Sequence, residues 1–282
     1  MNIVSISSNN ITIMEKTSFK KIIKDINHML LNGRYLHIHE HGCVDIYSVL
    51  SYIVKSYTLY DDDDISYKSF NNEINFYYWL SLSDPDIKIP IIRLVTFYVY
   101  KTSNNLIFDN FIYDSYSIIE MKDTSKRIKS IKCFIKRILT CLEFLHDNDY
   151  VHCDIKPSNI VCSNEELTEF YLIDFGNCYK FDELSKINTN VTTKEYISPE
   201  QYTNSKINKS TDIYSLGISI IELIQYETFE NELIKLKKYG NFNNDLINTN
   251  INNLDDLVSK MLIKDPLERI SAKNALEHDY FK

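Results

Sequence analysis

Between Arg34 and about Glu120 apolar and polar positions alternate in short segments, Arg34–Glu40, Val44–Val49, Ser51–Tyr57, Ile91–Tyr100 and Tyr116–Met121. A period of two sends successive side chains to opposite faces, as in half-buried strands. One stretch, Ser66–Leu82, reads as a helix between the third and fourth segments. The first half is therefore expected to be a small, mostly antiparallel sheet carrying one helix. After Lys122 the period lengthens, and Ile128, Ile131, Ile135, Ile138, Leu142 and Leu145 fall three and four residues apart, on one face of an amphipathic helix. Within Ser210–Ile224 the run from Ile213 is apolar with few breaks, which predicts a helix buried on nearly all sides. Asn241–Asn253 reads as loop, and Leu254–Ile263 and Ala272–Phe281 as packed terminal helices.

Composition narrows the class. A chain of 282 residues, 44% of them hydrophobic, can bury a sizeable core in one larger domain or in two lobes sharing a cleft. A net charge of -8 argues against a nucleic-acid partner, because phosphate contacts need clustered Lys and Arg. The cysteines at 43, 133, 141, 153, 162 and 178 form no CxxC pair, which argues against zinc and suits a reducing, cytoplasmic compartment. The longest apolar run, Ile89 to Tyr100, contains Pro90 and Arg93 and is too short to span a bilayer, and no secretion signal opens the chain. The excess of Ile, Asn, Lys, Tyr and Asp is what AT-rich codons produce, as in a large DNA virus or an intracellular parasite.

The chemistry concentrates in His152-Cys153-Asp154-Ile155-Lys156-Pro157-Ser158-Asn159, followed after an apolar run by Asp174-Phe175-Gly176. Taken in order with Tyr52-Ile53-Val54-Lys55, Ser198-Pro199-Glu200 and Asp212-Ile213-Tyr214-Ser215-Leu216-Gly217, these segments resemble the eukaryotic protein kinase family from about Leu36 to the C-terminus. The resemblance implies an α+β, bilobal fold, with residues 1–33 as an N-terminal extension, 34–121 as the N-lobe and 122–282 as a mainly helical C-lobe.

By the same resemblance, Asp154 would orient the acceptor hydroxyl and accept its proton, while Asn159 and Asp174 would hold magnesium. Lys156 would contact the transferred phosphate, and the Thr193 hydroxyl would bond the catalytic Asp and Lys. Both positions match the serine/threonine subclass. Lys55 would bind the α- and β-phosphates of ATP and pair with Glu73. Ile119-Glu120-Met121 reads as the hinge, which brings Glu120 and Met121 to the nucleotide. Glu200 and Arg269 are expected to form a salt bridge, and Asp212 to hold the catalytic-loop backbone.

The chain also departs from the pattern. The glycine-rich loop aligns with His37-Ile38-His39-Glu40-His41-Gly42-Cys43-Val44, keeping only Gly42 and Val44 as phosphate-loop positions. On a strand, His37, His39 and His41 would share one face, either as a polar edge or as a metal-binding set. Cys153 replaces the arginine that receives an activation-loop phosphate in many kinases. Between the hinge-like segment and His152 the chain is short, which predicts that one small helix is cut down.

The leading expectation is an ATP- and magnesium-dependent serine/threonine protein kinase, monomeric, with a protein substrate. A pseudokinase scaffold and a kinase-like enzyme acting on a small molecule are the competing readings. The retained Lys55, Asp154, Asn159 and Asp174 weigh against the first, and the Ser198-Pro199-Glu200 segment with its following buried helix weighs against the second.

Overall fold

The computed structural model describes residues 21, 23–26, 28–29, 36–41, 44–49, 51–58, 64–83, 89–100, 103–184, 195–203, 207–226 and 249–282. It resolves into two compact units, 1–88 with 92–111, and 89–91 with 112–282. The boundary expected at Met121 therefore falls at Phe111.

In the first unit five strands, β1 (Leu36–His41), β2 (Val44–Val49), β3 (Tyr52–Thr58), β4 (Leu94–Tyr100) and β5 (Ser103–Asp109), pair in the order β1-β2-β3-β5-β4. Every pairing is antiparallel. The β2–β3 and β4–β5 pairings end at Val49↔Tyr52 and Tyr100↔Ser103, and connections only two residues long fix the register. β3 is thereby central, with Lys55 opposite Ile46 on one side and Leu106 on the other. Helix α1 (Asp64–Leu82) follows it.

Alternation along β3 places Ile53, Lys55 and Tyr57 on one sheet face and Val54 on the other. Val54 packs with Val49, Tyr98 and Ile107 around Ile26, which is fully buried, and Ile23 and Met29 lie against the same cluster. Ile23, Ile26 and Met29 recur every three residues in a helical stretch. Part of the expected N-terminal extension thus belongs to the core of this unit.

Three sequence expectations change here. The strand at Tyr116–Met121 is absent, because Ser115–Ile118 forms a 3-10 helix whose N-cap, Asp114, accepts a hydrogen bond from the Ser117 N–H at 3.2 Å. The fifth strand is Ser103–Asp109, hidden in the sequence by Asn104 and Asn105, which have low strand propensity yet are buried at 4% and 3% exposure. In β1 the register shifts between His37 and His39, so a two-residue alternation does not carry across the three histidines.

The second unit is built on helices α2 (Thr124–Asp147), α3 (Pro199–Tyr202), α4 (Ser210–Ile224), α5 (Leu254–Met261) and α6 (Ala272–Leu276). Asp123 caps α2 by accepting from the Ser125 and Lys126 N–H groups. Its predicted face is buried from Ile131 through Leu145, whereas Ile128 at the first turns stays 38% exposed. In α4 every residue from Thr211 to Leu223 is buried. Gly217, unfavourable in a helix by propensity, is explained by packing, since a Cβ there would meet Leu262 Cδ2 at 2.9 Å and Met261 Cβ at 3.1 Å. Short strands β6 (Tyr113–Asp114), β7 (Tyr150–Val151), β8 (Ile160–Cys162), β9 (Phe170–Leu172) and β10 (Tyr179–Lys180) carry the loops between the helices. Among the described residues no helix is long and apolar enough to cross a membrane.

Candidate catalytic site

In the second unit the hairpin of β8 and β9 brings two candidate loops side by side. Ile160 pairs with Leu172, and one step beyond, the Ile173 N–H donates to the Asn159 carbonyl at 3.0 Å. Asn159 closes a 3-10 turn opened by Pro157, and Asp174 follows Ile173 directly. Asn159 Nδ2 donates to the Asp154 carbonyl at 2.8 Å and to its Oδ2 at 3.0 Å. With the amide nitrogen committed to Asp154, the amide oxygen is the end left to face a cation. Lys156 Nζ lies 3.0 Å from the same Asp154 oxygen. A carboxylate, an ammonium and an amide thus converge within one loop, partly open to solvent at Asp154 and Lys156.

The loop is held from beneath by Asp212 of α4, whose side chain is fully buried. Its Oδ2 accepts from the His152 N–H at 2.9 Å and from His146 Nε2 at 3.0 Å, and its Oδ1 accepts from the Cys153 N–H at 2.9 Å. Cys153 has φ of 65°, in the left-handed region, and Asp174 has φ of 64°. Such conformations cost about 1–3 kcal/mol each and persist where surrounding bonds over-determine them. For Cys153 that constraint is the Asp212 carboxylate. Its side chain sits in an apolar cluster with Val151, Leu184 and Ile207, and burial raises its thiol well above the usual range.

His152 is fixed as one tautomer. The Asp154 N–H donates to Nδ1 at 3.3 Å, so Nε2 carries the proton and donates to the Ile173 carbonyl at 3.2 Å. The ring meets Phe175 edge-on at 5.0 Å, and Phe175 is fully buried. The Gly176 N–H lies 3.4 Å from Asp174 Oδ1.

At the start of α3 the expected ion pair is present and bidentate: Arg269 Nη1 to Glu200 Oε1 at 2.7 Å and Nη2 to Oε2 at 2.9 Å. Thr211 Oγ1 also donates to Glu200 Oε1, and Arg269 donates further to the Ser210, Ile263 and Lys264 carbonyls. Burial alone would raise the Glu200 carboxyl, but the hydrogen bonds and charge of Arg269 more than offset it and hold the group below its ordinary value. Nearby, Glu222 accepts from Tyr196 Oη at 2.6 Å and from Tyr116 Oη at 3.1 Å. Here burial dominates and raises the carboxyl, although both hydroxyls oppose it.

The first unit carries its own ionic pair. Lys55 Nζ meets Glu73 Oε2 at 2.9 Å, with side-chain exposures of 9% and 1%. β3 supplies the lysine and α1 the glutamate. The same oxygen accepts from Tyr57 Oη at 2.6 Å, a partner the sequence analysis missed, although a position two residues beyond Lys55 on a strand necessarily shares its face.

The other predicted residues fall as follows. Gly42 and Thr193 lie outside the described residues. Val44 opens β2 opposite His41 and Tyr57, half-buried. Glu120 and Met121 do not form a hinge strand. They follow the 3-10 helix in the second unit, with Glu120 exposed and the Met121 N–H donating to Ile118. The chain passes from one unit to the other at Phe111, upstream of both, which removes the ground for assigning them to nucleotide.

Asp174 and Asn159 offer hard oxygen donors, the type magnesium takes, and few are needed because that ion keeps waters and substrate phosphates as ligands. Among the described residues no group of three or more His, Cys, Asp and Glu is arranged to hold a metal by itself.

Comparison with known proteins agrees with this arrangement. Residues 39–281 match the family model described as protein kinase domain. Myosin light chain kinase family member 4 of Homo sapiens is 29% identical over 181 residues, 62% of this chain and 45% of the human protein. Calcium-dependent protein kinase 4 of Plasmodium falciparum is 29% identical over 205 residues, 68% of this chain and 38% of that protein. Probable serine/threonine-protein kinase dyrk2 of Dictyostelium discoideum is 30% identical over 162 residues, 55% of this chain and 17% of that protein. The chain spans less than half the length of each of these relatives. With the family match covering both units, and the Asp154, Asn159 and Asp174 loops lying where that match runs, the chain belongs to the protein kinase family.

Proposed function

We propose that this protein is an ATP-dependent serine/threonine protein kinase, acting as a cytoplasmic monomer on a protein hydroxyl, with no nucleic-acid partner. The observation that carries the reading is the convergence of Asp154, Lys156 and Asn159 in one bonded group, beside Asp174, in a chain whose Lys55 is also paired with Glu73.

In this reading the Asp154 carboxylate takes the proton of the acceptor hydroxyl as its oxygen attacks the γ-phosphorus, and ADP leaves. Asn159, by holding Asp154 Oδ2 and its carbonyl, keeps the carboxylate aimed at the acceptor. Lys156 sets a positive charge 3.0 Å from that carboxylate, where it offsets charge on the transferring phosphoryl group. Lys55, oriented by Glu73, would hold the α- and β-phosphates. Asp174 and the Asn159 amide oxygen would hold magnesium, which when bound screens the phosphate oxygens. The resemblance to serine/threonine kinases at Lys156 and Thr193 implies that preference.

Titrating ATP with and without magnesium tests the reading. The parent binds nucleotide more tightly with the metal, and Asp174→Ala loses that increment while keeping the fold. Absence of any metal-dependent binding in the parent would replace the enzyme with a scaffold.

A further inference from the structure

From the geometry around β3 we infer that Tyr57 is a positioning residue for phosphate binding, acting through Glu73 on Lys55. This rests on the kinase reading above and adds to it a group that the motifs do not include.

Tyr57 and Lys55 point to the same face of the central strand, and Tyr57 is fully buried. Its hydroxyl donates to Glu73 Oε2 at 2.6 Å, the length of a charge-assisted O–H···O⁻ bond, and Lys55 Nζ reaches the same oxygen at 2.9 Å. The ammonium also lies 5.1 Å from the centre of the Tyr57 ring. Phe70, one turn before Glu73 on α1, packs edge-on against that ring at 5.7 Å and against Phe97 of β4 at 6.4 Å. Ring packing against Phe70 thus supports Tyr57 where its hydroxyl meets Glu73.

The arrangement answers a physical problem. A buried carboxylate needs more than one partner, and Lys55 must turn part of its hydrogen bonding toward phosphate when nucleotide binds. A tyrosine hydroxyl adds a strong donor without adding charge. It keeps Glu73 Oε2 in place while Lys55 divides its three protons between carboxylate and phosphate. Without it, Glu73 Oε2 would have one donor fewer and the lysine would be drawn back toward the carboxylate.

Tyr57→Phe removes the hydroxyl and leaves the ring packing and the cation–π contact. The variant is expected to raise KM for ATP by about tenfold, the usual effect of losing a hydrogen bond to a charged group, and to leave KM for the protein acceptor unchanged. A structural defect alone would lower the active fraction, and so the apparent kcat, without separating the two KM values. Thermal unfolding of parent and variant checks the fold. In a Glu73→Gln background the same substitution should change KM for ATP little, because the charged acceptor through which it acts is gone. An active parent with an unchanged KM for ATP in Tyr57→Phe, or an equal effect in the Glu73→Gln background, overturns the role of Tyr57 and leaves the kinase reading intact. A parent that neither binds magnesium–ATP nor transfers phosphate overturns both.

Discussion

Asp212→Asn isolates the grip of α4 on the catalytic loop. The substitution conserves shape, so it leaves no cavity, but one carboxylate oxygen becomes an NH2 group that cannot accept. The cheaper orientation places that group at Oδ1, facing the Cys153 N–H now 2.9 Å away, and keeps oxygen toward His152 and His146. One hydrogen bond to a charged acceptor is then lost, worth about 1.5–3 kcal/mol, and a buried N–H is left facing a donor at a further cost of about 1–3 kcal/mol. Removing a buried negative charge returns part of this. The net expectation is a loss of about 2–4 kcal/mol, which moves the urea midpoint by about 1–2 M. Cys153, relieved of the constraint on its φ of 65°, would relax toward an ordinary conformation and carry Asp154 with it. Displacement of a catalytic group by about 1 Å can cost on the order of a hundredfold, so kcat should fall by at least about tenfold while KM for ATP holds. Urea unfolding followed by fluorescence, with steady-state transfer on the same preparations, measures both. A midpoint within about 0.3 M of the parent and an unchanged kcat would refute the argument that this carboxylate sets the loop.

Other predictions concern the frame and its regulation. Glu200 titrates below its ordinary 4.5 in the folded protein, so the stability it contributes is present above that value and is lost as pH falls through the lowered one. Glu200→Gln should cost about 3–5 kcal/mol at neutral pH and should flatten the acid limb of a stability–pH curve; an unaltered limb would show that the Arg269 pair does not govern it. Because Cys153 is enclosed by Val151, Leu184 and Ile207 and offers no guanidinium to a phosphate, phosphatase treatment should leave the transfer rate unchanged. A large, phosphatase-reversible activation mapped to Thr189, Thr192 or a neighbour would contradict that. Ile26→Ala should destabilise the protein by about 2–4 kcal/mol although it precedes the first strand, and a wild-type melting temperature would show that the segment contributes nothing to the core.

Elements with long, unambiguous periods were legible in the sequence. The stripe from Ile131 to Leu145 and the apolar run of α4 both became buried helices, and the helix at Ser66–Leu82 differed from α1 only at its start. The Glu200–Arg269 and Asp212 contacts were legible from the order of the motifs. The error at Tyr116–Met121 came from reading alternation over too few residues, where the Asp114 cap decided the local conformation. It then displaced the expected hinge and with it Glu120 and Met121. Asn104 and Asn105 concealed β5, because tertiary pairing with β3 and β4 overrode their propensity. Ile23, Ile26 and Met29 stand at helical spacing ahead of the alternating segments, a signal only three residues long. Tyr57 was concealed differently: its place on the Lys55 face follows from strand alternation, but its hydrogen bond to Glu73 depends on the packing of α1, which no local pattern encodes.

The most direct test of the central claim is transfer of labelled γ-phosphate from ATP to a generic protein substrate in magnesium, followed by phosphoamino-acid analysis, with Lys55→Met, Asp154→Asn and Asp174→Ala alongside. The account predicts phosphoserine or phosphothreonine from the parent and loss of signal in all three variants. Transfer that persists in Asp154→Asn or Asp174→Ala at the parental rate, or none from a folded parent, would contradict it.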